Sequence, residues 1–255
     1  MVMILVYFLS PPYASKGLYH QGAIYHAIVP QGIIESWAPL YPVFKVIPIA
    51  LILCIIFLKN KVTRVFSIYV AISYVLLAIL QNIVLTEEFG LAIAPGNLIM
   101  FLIVAVFWIW EARVGENDFT AIRRPIWKYW VVPLAFLAFW YPLNPDTMKP
   151  DFNPLYILTS SAGLRFSMMT AAYLAVLILF YPRVNKTVMG VTSLAGILIG
   201  SHNMGWSFWV EPTLLWWHGV LHIPLLSTSI YSLALSLKKR PTEAMEGAME
   251  MDRHI

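Results

Sequence analysis

The chain has 255 residues, of which 60% are hydrophobic and 12% charged, roughly half the charged fraction of a soluble domain. The apolar residues come in long runs, which excludes a soluble globular domain and points to an all-α, polytopic membrane protein. The net charge of +4 is no nucleic-acid footprint, because the Lys and Arg fall between apolar runs and act there as topology determinants.

Residues 1–40 read as an N-terminal segment distinct from the spans. Residues 1–9 are apolar but too short to cross a bilayer, and Pro11-Pro12 ends the run. A basic flank and a small-residue cleavage site are lacking, so no signal peptide is expected. Residues 17–42 mix Tyr19, His20, Tyr25, His26, Glu35 and Trp37 with apolar positions. That mixture suits an interfacial or re-entrant segment at headgroup level, capping the bundle.

The bundle, 41–240, is expected to hold seven transmembrane helices at 41–58, 65–85, 91–110, 127–141, 155–181, 188–210 and 214–237. Cys54 lies inside the first, where it packs and forms no disulfide framework. Pro95, Gly96 and Pro224 read as kinks or packing notches. The tryptophans read chiefly as interfacial belts. Residues 241–255 are polar and rich in Met and Glu, a flexible cytoplasmic tail.

Charge sets the orientation. Loops after spans one, three, five and seven hold nearly all the Lys and Arg, ending with Lys238-Lys239-Arg240. Loops after spans two and six hold only acidic residues, and the loop after span four one Lys and two Asp. The positive-inside rule then places the N-terminus outside and the C-terminus in the cytoplasm, as a multi-pass protein of the cell membrane.

At about 1.5 Å of rise per residue, span position becomes depth. His218 falls roughly 6 Å below the outer boundary, His222 and His202 roughly 12 Å, and Arg165, inside span five, roughly 15 Å. Asn82, Asn97 and Asn203 share the outer halves of their spans, while the inner halves read as almost purely apolar. A charged residue at mid-membrane costs about 2.5–3.5 kcal/mol on insertion scales, so such residues face the bundle interior and mark sites. An outward-facing polar pocket is expected. Arg165, Asn82, Asn97 and Asn203 are its candidate ligand-binding residues, and His20 and His26 belong to a lid.

Three chemistries fit that pocket. His218 and His222, four residues apart, share one helix face. With His202 they make a three-imidazole zinc set with a fourth position for water, which would ionise near neutral pH and attack an ester or amide. Arg165 would hold an anionic group of a lipid or small amphiphile. In the second chemistry the pocket binds or transports a small anion or zwitterion on Arg165, with the histidines donating hydrogen bonds or carrying protons. In the third, His202 and one of the seventh-span pair ligate a b-type haem, since no CxxCH motif is present. The partners expected are the lipid bilayer and a small-molecule or lipid ligand, with no nucleic acid.

Seven spans with His218-Gly219-Val220-Leu221-His222 in the last resemble the superfamily of alkaline ceramidases and progestin/adipoQ receptors. The resemblance implies a zinc-dependent intramembrane amidohydrolase or a relative of one. The superfamily's further signature residues on spans two and three are unmatched, and Asn82 stands near the place of one. In this reading His202 takes the third ligand position.

Overall fold

The computed structural model describes residues 2–16, 24, 33–120 and 125–238. His20, His26, Arg123, Arg124, Lys239, Arg240 and the tail 241–255 lie outside them, so the expected lid and tail do too. The described chain is mostly helical. Helix α1 (Val2–Leu9) ends before Pro11-Pro12, as its sequence requires. A 3₁₀ stretch (Ile33–Leu40) leads into α2 (Tyr41–Leu58), and α3 (Thr63–Asn82) follows. Then come α4 (Pro95–Val114), α5 (Val131–Trp140) and a single turn, α6 (Tyr156–Thr159). The last three are α7 (Phe166–Phe180), α8 (Lys186–Gly205) and α9 (Pro212–Ser236).

Three helical stretches among these are long and apolar enough to cross a membrane: Ser36–Asn82, Pro95–Val114 and Pro212–Ser236. A fourth joins them if Tyr156–Leu164 and Phe166–Phe180, bent by 97°, count as one broken span. The first contains both α2 and α3, divided at Lys59, whose backbone turns to φ 52°. On α2 the buried positions form a narrow stripe, Tyr41, Lys45, Pro48 and Ile55. The other faces expose Val46, Ile56 and Phe57, as a helix in contact with lipid does.

The second and third expected spans meet differently from the sequence reading, which carried them to 85 and back from 91. Helix α3 stops at Asn82, and Ile83–Thr86 (β2) pairs antiparallel with Gly90–Ile93 (β3). A two-residue strand β1, Tyr13–Ala14, adds to the other edge of β3. Extended Ile83-Val84-Leu85-Thr86 favours strand, and Gly90 supplies the positive φ of 64° at the turn. Gly96 also has a use: a Cβ there would stand 3.0 Å from the Tyr7 carbonyl, so its absence lets α1 rest on α4.

Helix α7 is the axis of the molecule. Fourteen of its fifteen residues are buried, and it packs on α5, α8 and α9. A helix apolar all round is buried all round. Helices α8 and α9 approach closely through Gly190, Gly196 and Gly200, which face Ser236, Ser229 and Leu225, the small-residue packing of membrane helices. Interhelical hydrogen bonds add to this: Tyr74 with Thr170 at 2.9 Å, Tyr173 to Ser73 at 2.9 Å and Trp108 to Thr192 at 3.0 Å. The interior is therefore not purely apolar away from the histidines.

The connections gather at two ends. At one, Asn60 donates to Asp118 at 2.7 Å and accepts from the Phe119 amide, and Arg183 pairs with Asp118 at 3.5 Å. Buried Glu111 accepts from the Asn117 amide and from the Asn185 side chain. Asn185 also caps α8 by accepting from Thr187 and Val188, and Lys186 donates to the Lys238 carbonyl. At the other end, Lys16 reaches the Glu87 carbonyl and Trp217 donates to Pro142 at 2.7 Å.

Candidate functional site

The site begins with a break. The expected span 155–181 is not one helix. After α6, Ser161–Leu164 forms a 3₁₀ turn, Arg165 is extended at φ −114° and ψ 123°, and α7 then leaves at 97° to the preceding segment. Gly163 permits the turn, because a Cβ there would lie 2.6 Å from the Phe44 carbonyl. Irregular backbone survives at membrane depth only when its polar groups are satisfied. Gln81 of α3 does this for the Phe166 amide, accepting at 2.7 Å, and Ser160 donates to the Trp140 carbonyl at 3.0 Å.

Arg165 therefore sits at the head of α7 and not inside a helix. Its Nε donates to Ser161 Oγ at 2.7 Å, and its guanidinium lies 5.5 Å from the Tyr141 ring centre. The half-buried side chain stands two residues before Ser167, which contacts His222. Lys45, fully buried on α2, donates to the Phe139 carbonyl and stands 4.1 Å from that residue's ring centre. Both side chains thus stand at the C-terminal end of α5, where helix carbonyls favour positive charge.

His222 is buried, 2% exposed. Its Nδ1 is 2.8 Å from the His218 carbonyl. A carbonyl only accepts, so Nδ1 carries the proton and Nε2 presents its lone pair. Asn203 Nδ2 donates to that lone pair at 2.9 Å, and Ser167 Oγ stands 3.0 Å from it. One imidazole thus knots α7, α8 and α9. The His218 ring lies against it, tilted by 56° with ring centres 4.4 Å apart, its Nδ1 3.2 Å from Ser207 Oγ. Ser207 comes from a π-helical turn, Trp206–Val210, that extends α8; such turns are frequent at functional sites.

The structure brings together Arg165, Asn203, His218 and His222. It does not bring in the others. Exposed His202 contacts the rings of Tyr7 and Trp206. Asn82 folds its amide back on its own helix, 3.0 Å from Ala78 O. Among the described residues, Asn97 buries an amide oxygen with no hydrogen-bond partner and makes no bond to the cluster. Ser167, Ser161, Gln81 and Lys45 complete the arrangement and were missed in the sequence reading. Proximity to Arg165 along the chain was a signal for the two serines, and Lys45 and Gln81, polar residues inside expected spans, carried the same signal as Arg165 and Asn82.

The zinc set does not fit this geometry. His222 Nε2, the atom a zinc ion would need, already accepts from Asn203 and lies against Ser167, and His202 faces elsewhere. Among the described residues no group of three His, Cys, Asp or Glu stands where it could hold a metal ion. Nor is the site the open pocket expected. Ser167 and His222 are closed off at 6% and 2% exposure, under half-buried Arg165, Asn203 and His218.

The chain matches no family model, no curated protein and no solved structure. The likeness to the ceramidase and progestin/adipoQ receptor superfamily therefore rests on the expected span count and His218 with His222 alone. The chemistry must be read from the site itself.

Proposed function

We propose that this chain is a seven-span protein of the cell membrane, N-terminus outside and C-terminus cytoplasmic, that binds a small anionic or zwitterionic molecule on Arg165. The observation that carries the binding reading is the 97° break. It sets a guanidinium at the head of a buried helix, on the segment whose Ser167 contacts His222. Half-helix N-termini at such breaks attract anionic groups.

Seven crossings are supported by the two ends. Connections 59–62, 115–120 and 181–186 and Lys238 join one another through hydrogen bonds, and this end carries most of the basic residues. The stretch Ser36–Asn82, at 47 residues, is about 70 Å of helix, twice the roughly 30 Å of a hydrocarbon core. Helix α8 is less apolar in part because Gly190, Gly196 and Gly200 face α9 and not lipid.

The test of binding is thermal unfolding of the detergent-solubilised chain with a series of small carboxylates, phosphates and zwitterions. One class is expected to raise the midpoint in a saturable way, and Arg165→Gln to abolish the rise. A rise that survives Arg165→Gln overturns the reading.

A second reading is favoured by the contact of Ser167 Oγ with an unprotonated, carbonyl-anchored imidazole. This is the relation of a nucleophilic hydroxyl to its general base. In it the Asn203 amide would give up Nε2, and Ser167 would attack an ester carbonyl held by Arg165 and pass its proton to that nitrogen. The imidazolium would return that proton to the departing alcohol, and water would release the acyl group from serine. Labelling with a fluorophosphonate at Ser167, lost in Ser167→Ala and reduced in His222→Gln, is expected. Absence of labelling removes hydrolysis and leaves binding standing.

A further inference from the structure

A groove of about 430 Å³ runs between α3 and α4, away from the site above. Its floor is Ala71 and Ala112, both buried, and its walls are Ile68, Ile72 and Ile109, each more than a third exposed. The two alanines make a trough between ridges of isoleucine. Helix α4, and the stretch Ser36–Asn82 that includes α3, are long and apolar enough to cross a membrane, so the outer face is turned to lipid. Arg113 lines the end of the groove. It lies in the last turn of α4, at the basic end of the molecule where Asn60, Asp118 and Arg183 meet. Among the described residues Arg113 makes no hydrogen bond or ion pair.

We infer that this groove holds one acyl chain of an anionic phospholipid, with the lipid phosphate on Arg113. An apolar trough that ends on an unpaired guanidinium at headgroup level matches the two halves of such a lipid. Arginine suits phosphate because its fork of donors matches the phosphate oxygens, and the cytoplasmic leaflet is the anionic one. The inference does not rest on what Arg165 binds.

The test is native mass spectrometry of the full chain released from nanodiscs of equal phosphatidylglycerol and phosphatidylcholine. Wild type is expected to retain phosphatidylglycerol preferentially. Arg113→Gln is expected to lower that preference about fivefold, the effect of one basic residue at a membrane surface. Lys61→Gln, at the same end but lining no part of the groove, is expected to leave it unchanged. Ile72→Trp, at the exposed rim, is expected to reduce retention of both lipids while the chain stays folded. Equal losses in Arg113→Gln and Lys61→Gln would mean diffuse surface charge and overturn the site. So would unchanged retention in Ile72→Trp, or a wild-type dimer that this variant dissolves.

Discussion

His222 is the residue on which three helices depend. Its ring touches a carbonyl of α9, an amide of α8 and a hydroxyl of α7. Replacing it with Ala strands the Asn203 amide and the Ser167 hydroxyl, and each buried polar group left unpaired costs about 1–3 kcal/mol. His222→Ala is therefore expected to lower the unfolding midpoint well below that of Tyr74→Phe, which removes one interhelical bond worth about 0.6 kcal/mol on average. Equal midpoints for the two would contradict the knot. The sequence pointed to His222 and Asn203 because polar side chains are expensive in lipid. It misplaced His202, one residue from Asn203, for a definite reason. Counting residues along a helix gives depth, but successive residues point about 100° apart. Depth was legible and direction was not, so an inward amide and an outward imidazole looked alike. Ser167 escaped notice because a serine inside an apolar run is ordinary until something is seen to face it.

Among elements, the broken fifth segment decides the site. Ser160-Ser161-Ala162-Gly163 held the signal, since serine and glycine interrupt helices. The surrounding apolar run concealed it. Gly163→Ala would press a methyl carbon onto the Phe44 carbonyl at 2.6 Å. Overpacking of this kind costs about 1–3 kcal/mol, and the variant is expected to lose anion-dependent stabilisation along with stability. Full retention of both would show that the turn is not held against α2. The loops at the basic end form a second unit. Asp118 accepts from the Thr120 hydroxyl at 2.6 Å and from Asn60 at 2.7 Å. The Thr120 hydroxyl first, then its amide, Asn60 and Arg183, hold the Asp118 carboxyl below its ordinary range. A carboxyl lowered by folding stabilises above its unfolded value, about 3.9. That contribution disappears as pH falls through the folded value. Because the side chain is 38% exposed, the effect is modest. Asp118→Asn is expected to flatten the loss of stability below about pH 4, read by thermal unfolding across pH, and an unchanged acid limb would contradict it.

For the molecule as a whole, the helical segments fell near the expected places, since long apolar runs and their basic or acidic flanks are strong signals. Finer features did not show. The β2–β3 hairpin replaced the ends of two expected spans, because Ile83-Val84-Leu85 is as apolar in a strand as in a helix. The account rests on the chain crossing the bilayer seven times with Arg165 near the non-cytoplasmic face. The direct measurement is side-specific labelling of single cysteines in a Cys54→Ser background, in sealed right-side-out vesicles. Cysteines at Glu87, Asp146 and Thr213 are expected to react with an impermeant maleimide from outside. Those at Lys61, Glu116 and Thr187 are expected to react only after the membrane is opened. Labelling of Glu87 and Glu116 positions from the same side would contradict the account.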